Sequence, residues 1–374
     1  MVRLILLSLL LLVSLLGIFR APTYRLWHTA ILVTEFPWIF ILVTIGLLLL
    51  GIKYQNYLHA GTLLGIVALV IFMLPVVRAY VISSRLDKDL NAAFGPVATR
   101  DKNSGLAFNA MQMITGIGAT QLPYYSIIYD KGGLTLDFYK AQKQGKQPCV
   151  IVVHGGSWAG GDSRQLPELN TVLATKGYNV ASINYRLAPE HKSPAAVADL
   201  KVAIEYLKLH ADELQIDTDR FVLLGRSAGA QITLVAAYTF HDSAIKGTIS
   251  FYGPADMVWG YSLPANLLVF DSRKVMVDYL GGTYKEVPQQ YYNSSAIEFV
   301  TNDAPPTLMI HGPLDPLVAY EHSIRLSARL NQNKIPHYLL SLPWGTHACD
   351  YTLNGPGGQL STYSVLHFLR SVCK

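Results

Sequence analysis

Phe221-Val222-Leu223-Leu224-Gly225-Arg226-Ser227-Ala228-Gly229-Ala230 is the stretch from which the rest of this chain can be read. Four apolar residues suited to a buried strand run into Gly-x-Ser-x-Gly, and a helical pattern over Ala228–Tyr238 follows without a linker. A turn from strand to helix that tight needs small residues beside the serine, and it holds the hydroxyl up at the sheet edge. The helix N-terminus behind it adds free N–H groups and the positive end of a dipole. The five-residue string recurs by chance in many chains, so the strand before it and the helix after it carry the weight.

Working outward, Tyr124–Tyr129 and Leu134–Ala141, separated by Asp130-Lys131-Gly132-Gly133, predict a β-hairpin. Cys149–Val153, Val180–Asn184, Gly247–Phe251, Thr307–Ile310 and Tyr338–Leu342 join Phe221–Leu224 as buried strands. Helical patterns fall near Gln165–Lys176, Ala195–His210, Ala228–Tyr238, Ala319–Asn331 and Leu360–Leu369. Strands alternating with helices predict an α/β fold: a mostly parallel eight-stranded sheet with helices on both faces.

A second motif, His154-Gly155-Gly156-Ser157-Trp158, follows the strand Cys149–Val153. Adjacent glycines let backbone N–H groups approach a ligand, so Gly155 and Gly156, with Ala228 after the serine, are the expected oxyanion-hole donors. A tight turn with no ligand is the plainer alternative. A serine hydroxyl needs a base, itself oriented by a third group. His347, in Trp344-Gly345-Thr346-His347, lies past the last strand; Asp315, in His311-Gly312-Pro313-Leu314-Asp315-Pro316, lies past Thr307–Ile310. Both sit on loops beyond strand carboxyl ends, where catalytic groups gather, and the order Ser, Asp, His suits this fold. Asp256, in Gly253-Pro254-Ala255-Asp256, is the best substitute for Asp315. Among the 11 histidines, His311 suits a loop-bracing role, while His322 and His337 fall on a helix and at a strand start.

Hydrophobic residues make up 51% of the 374, charged residues 15%, and mean hydropathy is +0.28. The apolar excess lies in the first eighty or so positions. Leu4–Phe19, Phe36–Ile52 and Leu58–Val77 are apolar runs; the first is short against the roughly 20 residues of a span and, following Arg3, reads as an uncleaved signal anchor or first span, with a cleaved signal as the lesser alternative. Gly61 and Gly65 space a G-x-x-x-G that lets a neighbouring helix approach closely. The expected organisation is a transmembrane anchor over 1–82 (spans 4–19, 36–52, 58–77), a connector over 83–122 and an α/β domain over 123–374. Arg20, Arg25, Arg78, Arg85 and Lys88 fall on the domain's side of a three-span anchor, Arg3 and Lys53 on the other, which places the domain in the cytoplasm. A net charge of +5 without a basic block gives nucleic-acid binding no support. The three cysteines, Cys149, Cys349 and Cys373, show no metal-ligand spacing.

The stretches HGGSWAGGD, INYRLAPEHKSPAAVADL, GRSAGA, HGPLDPLV and WGTHA resemble the esterase/lipase branch of the α/β-hydrolase superfamily. They are most similar to the hormone-sensitive-lipase-like carboxylesterases and to feruloyl and acetyl-xylan esterase-type hydrolases. The resemblance runs from near Tyr124 to the C-terminus, and the apolar N-terminal region lies outside it. It implies Ser227 as nucleophile, Asp315 and His347 as its partners, and Gly155, Gly156 and Ala228 as oxyanion donors. Two departures stand out: Ser157 occupies the place of a third glycine, and Arg226 that of an acid. Arg186, Glu190 and Asp199 look like bracing pairs around the site. The implied activity is hydrolysis of a small-molecule carboxylic ester through an acyl-enzyme, without metal or cofactor; the apolar N-terminal region, outside the resemblance, adds the membrane bilayer as an expected partner and a lipid-like ester as an expected substrate. A serine peptidase or acyltransferase on the same fold, or a catalytically silent membrane scaffold, are the alternatives. Tyr252–Asp303, the longest insertion between strands, is expected to line an acyl pocket or form a cap, or else to pack as helix on the core.

Overall fold

The computed structural model describes residues 2–53, 58–97, 106–116 and 121–374. Parts of the expected connector, 98–105 and 117–120, lie outside the described residues. Eight strands form one sheet: β1 (Tyr125–Ile128), β2 (Thr135–Tyr139), β3 (Gln147–Val153), β4 (Asn179–Ile183), β5 (Ile216–Arg226), β6 (Ile245–Phe251), β7 (Thr307–His311) and β8 (His337–Ser341). Their order is β1-β2-β4-β3-β5-β6-β7-β8. The β1/β2 and β2/β4 pairs are antiparallel and the rest parallel. β5 starts at Ile216 rather than Phe221, because Asp217-Thr218-Asp219-Arg220 carries no apolar pattern although Ile216 still pairs with Gln147 of β3.

The helices are α1 (Val2–Ser14), α2 (Tyr24–Glu35), α3 (Pro37–Lys53), α4 (Leu58–Phe94), α5 (Ala110–Thr115), α6 (Glu168–Thr175), α7 (Ala195–Leu209), α8 (Ala211–Leu214), α9 (Ala228–Thr239), α10 (Met257–Ser262), α11 (Ser272–Leu280), α12 (Pro288–Asn293), α13 (Glu321–Gln332) and α14 (Pro356–Val372). Alternate side chains along a strand point to opposite faces, and β5 divides its four apolar residues accordingly. Phe221 and Leu223 pack with Leu200 of α7 and Ile232 of α9, whereas Val222 and Leu224 pack with Leu173 of α6 and Phe368 of α14.

That second core also contains Ala79, Ile82, Leu86 and Leu90 of α4. The expected boundary at 82/83 therefore falls inside one continuous helix. Hydropathy drops at Ser83, but the helical spacing of buried residues persists to Leu90. Tyr363 Oη donates to Asp87 Oδ1 at 2.9 Å, and Phe94 meets Phe368 edge to face at 4.8 Å. Among the described residues one helix, Ala60–Phe94, is long and apolar enough to cross a membrane. Val2–Gly17 is apolar but shorter, and Tyr24–Glu35 meets Pro37–Leu50 at an 82° bend. α1 and α3 both pack along α4. Gly65 is the close-approach point, since a Cβ there would press on Leu48 and Leu7. The N-terminal helices also dock on the sheet domain: Glu35, buried, accepts from the Gly357 and Gly358 N–H groups at 3.2 and 3.4 Å, at the start of α14.

Candidate active site

Ser227 sits between β5 and α9 with φ +53° and ψ −119°, a strained conformation for a residue with a side chain. Glycine is required on both sides. A Cβ on Gly225 would run into Gly229 O and Ala230, and one on Gly229 into the Val153 and His154 carbonyls. The Ser227 N–H is fixed by Phe251 O at 2.9 Å, so β6 also holds the turn.

The structure brings Ser227, His347 and Asp315 together across loops from three strands. His347 Nε2 lies 3.0 Å from Ser227 Oγ, and His347 Nδ1 lies 2.6 Å from Asp315 Oδ2. Asp315 Oδ1 accepts the Leu317 and Val318 N–H groups at 2.8 and 2.9 Å. His311 Nε2 stands 3.1 Å from Asp315 Oδ2 and its Nδ1 2.8 Å from Ser323 Oγ, the bracing position expected of it. Burial would raise the Asp315 carboxyl, but the charge and hydrogen bonds of His347 and His311 outweigh it and hold the group below the usual carboxylate range. The carboxylate is thus kept ionised, able to orient His347 and to stabilise a positive charge on it.

Asp256 lies elsewhere. Its Oδ1 caps α10 by accepting from the Trp259 N–H at 2.9 Å, and its Oδ2 pairs with Arg325 at 2.7 Å. Arg186 and Asp199 pair at 2.6 Å, and Asp199 also accepts the Arg186 N–H, the bracing role expected of them.

The oxyanion expectation needs a correction at Gly155. Its N–H is donated to Gln165 Oε1 at 2.7 Å and is not free to meet a ligand. Gly155 has a steric task instead: a Cβ there would stand 3.2 Å from the Ser227 Cβ and 3.0 Å from Arg226 O. Gly156 has φ +120° and Ser157 φ +56°, and among the described residues neither N–H donates a hydrogen bond. Ser157 and Ala228 both line the cavity in front of Ser227. Ser157 escaped the sequence reading because the signal sought was glycine, whereas the backbone turn aims the N–H groups whatever the side chain.

Two further features were missed. Arg226, beside the serine, is fully buried, with Nε 2.6 Å from Asp350 Oδ2, and Tyr252 Oη donates to Asp350 Oδ1 at 2.7 Å. Tyr252 in turn packs against His347 with ring centroids 4.4 Å apart. A basic residue inside the tight turn and an acid three positions after His347 were the available signals. The other feature comes from the N-terminal region: Trp27 Nε1 donates to His347 O at 3.1 Å.

The cavity in front of Ser227 has a volume of about 470 Å³, within the roughly 300–1,000 Å³ usual for small-molecule sites. Met257, Leu263, Phe270, Met276, Val318 and His322 supply much of its wall, and Arg20, Ala21 and Pro22 close one side. The insertion after β6 both lines this cavity and packs on the core. Leu263 and Phe270 face the cavity, while Tyr279 and Tyr291 are buried in the core. No group of three or more His, Cys, Asp or Glu able to hold a metal ion occurs among the described residues.

The chain is similar to several known proteins. The model of the BD-FAE family matches residues 136–330, which include Ser227 and Asp315 but stop short of His347. Esterase LipC of Mycobacterium tuberculosis is 28% identical over 243 residues, covering 60% of this chain and 58% of that protein. The probable carboxylic ester hydrolase LipM of the same organism is 28% identical over 224 residues, covering 55% and 50%. The chain thus spans about half the length of these curated relatives. An esterase structure from Pyrobaculum calidifontis superposes with a TM-score of 0.60 at 18% identity, covering 79% of this chain and 94% of that one. That likeness establishes the α/β-hydrolase fold of the sheet domain.

Proposed function

The chain belongs to the BD-FAE family, and from that premise we propose that it is a serine hydrolase that cleaves carboxylic esters through an acyl-enzyme on Ser227. The observation that carries the reading is the unbroken contact from Ser227 Oγ through His347 to the ionised Asp315, at the wall of a largely apolar cavity. Ser227 Oγ attacks the ester carbonyl carbon while His347 Nε2 takes its proton. The carbonyl oxygen gathers negative charge and is met by the N–H groups of Gly156, Ser157 and Ala228. Collapse breaks the bond to the alcohol oxygen, which leaves with the proton from His347. Water then attacks the acyl carbon, again through His347, and releases the acid and free Ser227.

The test is active-site labelling. A fluorophosphonate should attach at Ser227, and Ser227→Ala should abolish labelling and lower ester turnover by about a thousandfold or more. Labelling that persists in Ser227→Ala would remove the assignment.

The N-terminal helices form a three-span anchor in this reading, built from α1 with its following turn, α3 and the first half of α4. Supporting it, these helices lie side by side and present Leu, Ile and Val side chains outward, as a lipid-facing bundle would. In chain order Arg20, Arg25, Arg78, Arg85 and Lys88 fall on or next to the catalytic domain's side of the three spans, which puts that side in the cytoplasm. Intact cells treated with an impermeant protease should keep the catalytic domain whole; its digestion there would reverse the orientation.

A further inference from the structure

The wall of the cavity formed by Arg20, Ala21 and Pro22 belongs to the segment that links α1 to α2, not to the sheet domain. It is firmly tied in place. Arg20 Nε donates to Pro313 O at 2.8 Å, two residues before Asp315, and the Tyr24 N–H donates to Leu268 O at 3.0 Å. Ala21 is buried in a small cluster with Leu16 and Ala30 of the N-terminal region. The end of an apolar helix thus completes the pocket beside Ser227.

The level of the pocket mouth follows from the 82° bend between α2 and α3. If α3 runs along the bilayer normal, α2 lies nearly in the membrane plane. Tyr24 and Trp27 on α2, with their rings 5.4 Å apart, are the residue types that settle at the headgroup level. The mouth stands at the start of α2. Around it, Phe19, Leu263, Leu267 and Leu268 are exposed apolar side chains, the last two 73% and 70% exposed. They continue the outward apolar surface of α1 onto the rim of the sheet domain. Leucines so exposed on a rim have no partner within the fold, and a bilayer surface at that level would cover them.

We propose that the substrate is an amphipathic ester resident in the bilayer, drawn directly from the lipid into a pocket that the α1–α2 segment completes. The inference rests on the ester-hydrolase and three-span readings above. Physically, an acyl chain that had to cross water would be slowed by roughly fourfold for each exposed methylene. A rim of leucine and phenylalanine against the lipid removes that barrier, and the ester group enters after its chain.

The test uses the full chain reconstituted in phosphatidylcholine–phosphatidylglycerol vesicles, with 1,2-dioctanoylglycerol as the bilayer ester and p-nitrophenyl acetate as the soluble one. Leu267 and Leu268 do not line the pocket. The double change Leu267→Ser, Leu268→Ser should therefore lower dioctanoylglycerol turnover by roughly tenfold while p-nitrophenyl acetate turnover holds. Phe19→Ser should move the ratio in the same direction. Ala21→Trp, which fills the wall, should cut p-nitrophenyl octanoate turnover by about tenfold relative to the acetate. Equal loss on both esters in the rim variants, or no loss on either, overturns the proposal. Wild-type protein that turns over p-nitrophenyl acetate but not dioctanoylglycerol overturns it too, and leaves the ester-hydrolase reading standing. Turnover of neither ester removes both.

Discussion

At Asp315 and at Asp256 the chain places an aspartate beside a histidine, on loops leaving the neighbouring strands β7 and β6. In the first, the carboxylate itself meets His347 Nδ1, and the opposite ring nitrogen faces Ser227. In the second, the carboxylate is spent on the α10 cap and on Arg325, and the histidine is reached only through the Asp256 backbone N–H, which donates to His322 Nδ1 at 3.3 Å. Burial, aided by the charge of His311, pushes His322 down to about 3, so it stays neutral and a poor base near pH 7. Residue types and proximity are shared between the two corners. What separates them is where each carboxylate oxygen goes, and what the second ring nitrogen faces.

Four substitutions or measurements sharpen that contrast. Asp315→Asn should cost about a hundredfold to ten-thousandfold in kcat, because the His347 tautomer and the stabilised imidazolium are lost. Its folded-state carboxyl titrates below the unfolded one, so its contribution to stability is full above the ordinary carboxylate range and is lost as pH falls. The variant should therefore show a flatter acid limb in a plot of Tm against pH, and an unchanged limb would count against the ionised assignment. Next, Asp350→Asn leaves Arg226 charged and buried without its partner, a change that typically costs about 3–5 kcal/mol; urea unfolding measures it. A cost below about 1 kcal/mol would mean that the pair is solvated or readily replaced. Third, a p-nitrophenyl ester series should favour short-to-medium chains, and an optimum at sixteen carbons, on the order of tenfold over short esters, would contradict the cavity size. Smallest is Asp256→Asn, expected to leave kcat nearly unchanged: asparagine keeps the N-cap, and only the charge pairing with the half-exposed Arg325 is lost, at a cost of about 1 kcal/mol or less. A larger kcat loss there than at Asp315 would exchange the roles of the two corners.

Much of the sheet domain was legible because its information is local. The strand Phe221–Leu224, the small residues around Ser227, and loops that begin where apolar runs stop are all readable within a few positions. Asp315 and His347 follow from chain order once the sheet is in hand. The capture of the Gly155 N–H by Gln165 depends on a side chain ten residues away settling at one distance, which no pattern encodes. The Arg226–Asp350 pair spans 124 residues and joins two charges whose meeting is decided by the packed core. At the α4 boundary, a change of composition at Ser83 looked like the end of an element, whereas the helix merely exchanges one environment for another. The docking of Arg20–Pro22 on the pocket is tertiary throughout.

The bond from the α14 N–H groups to Glu35 has a consequence in time. Gly357 is made 322 residues after Glu35, which at about 5–20 residues per second means tens of seconds of synthesis between them. For most of that interval the strip Ala79, Ile82, Leu86 and Leu90 has been made and its cover from α14 has not. Covering of that strip waits for α14. Ribosome-held chains halted before Pro356 should leave the second half of α4 open to protease, and chains long enough to bring α14 clear of the ribosome should protect it.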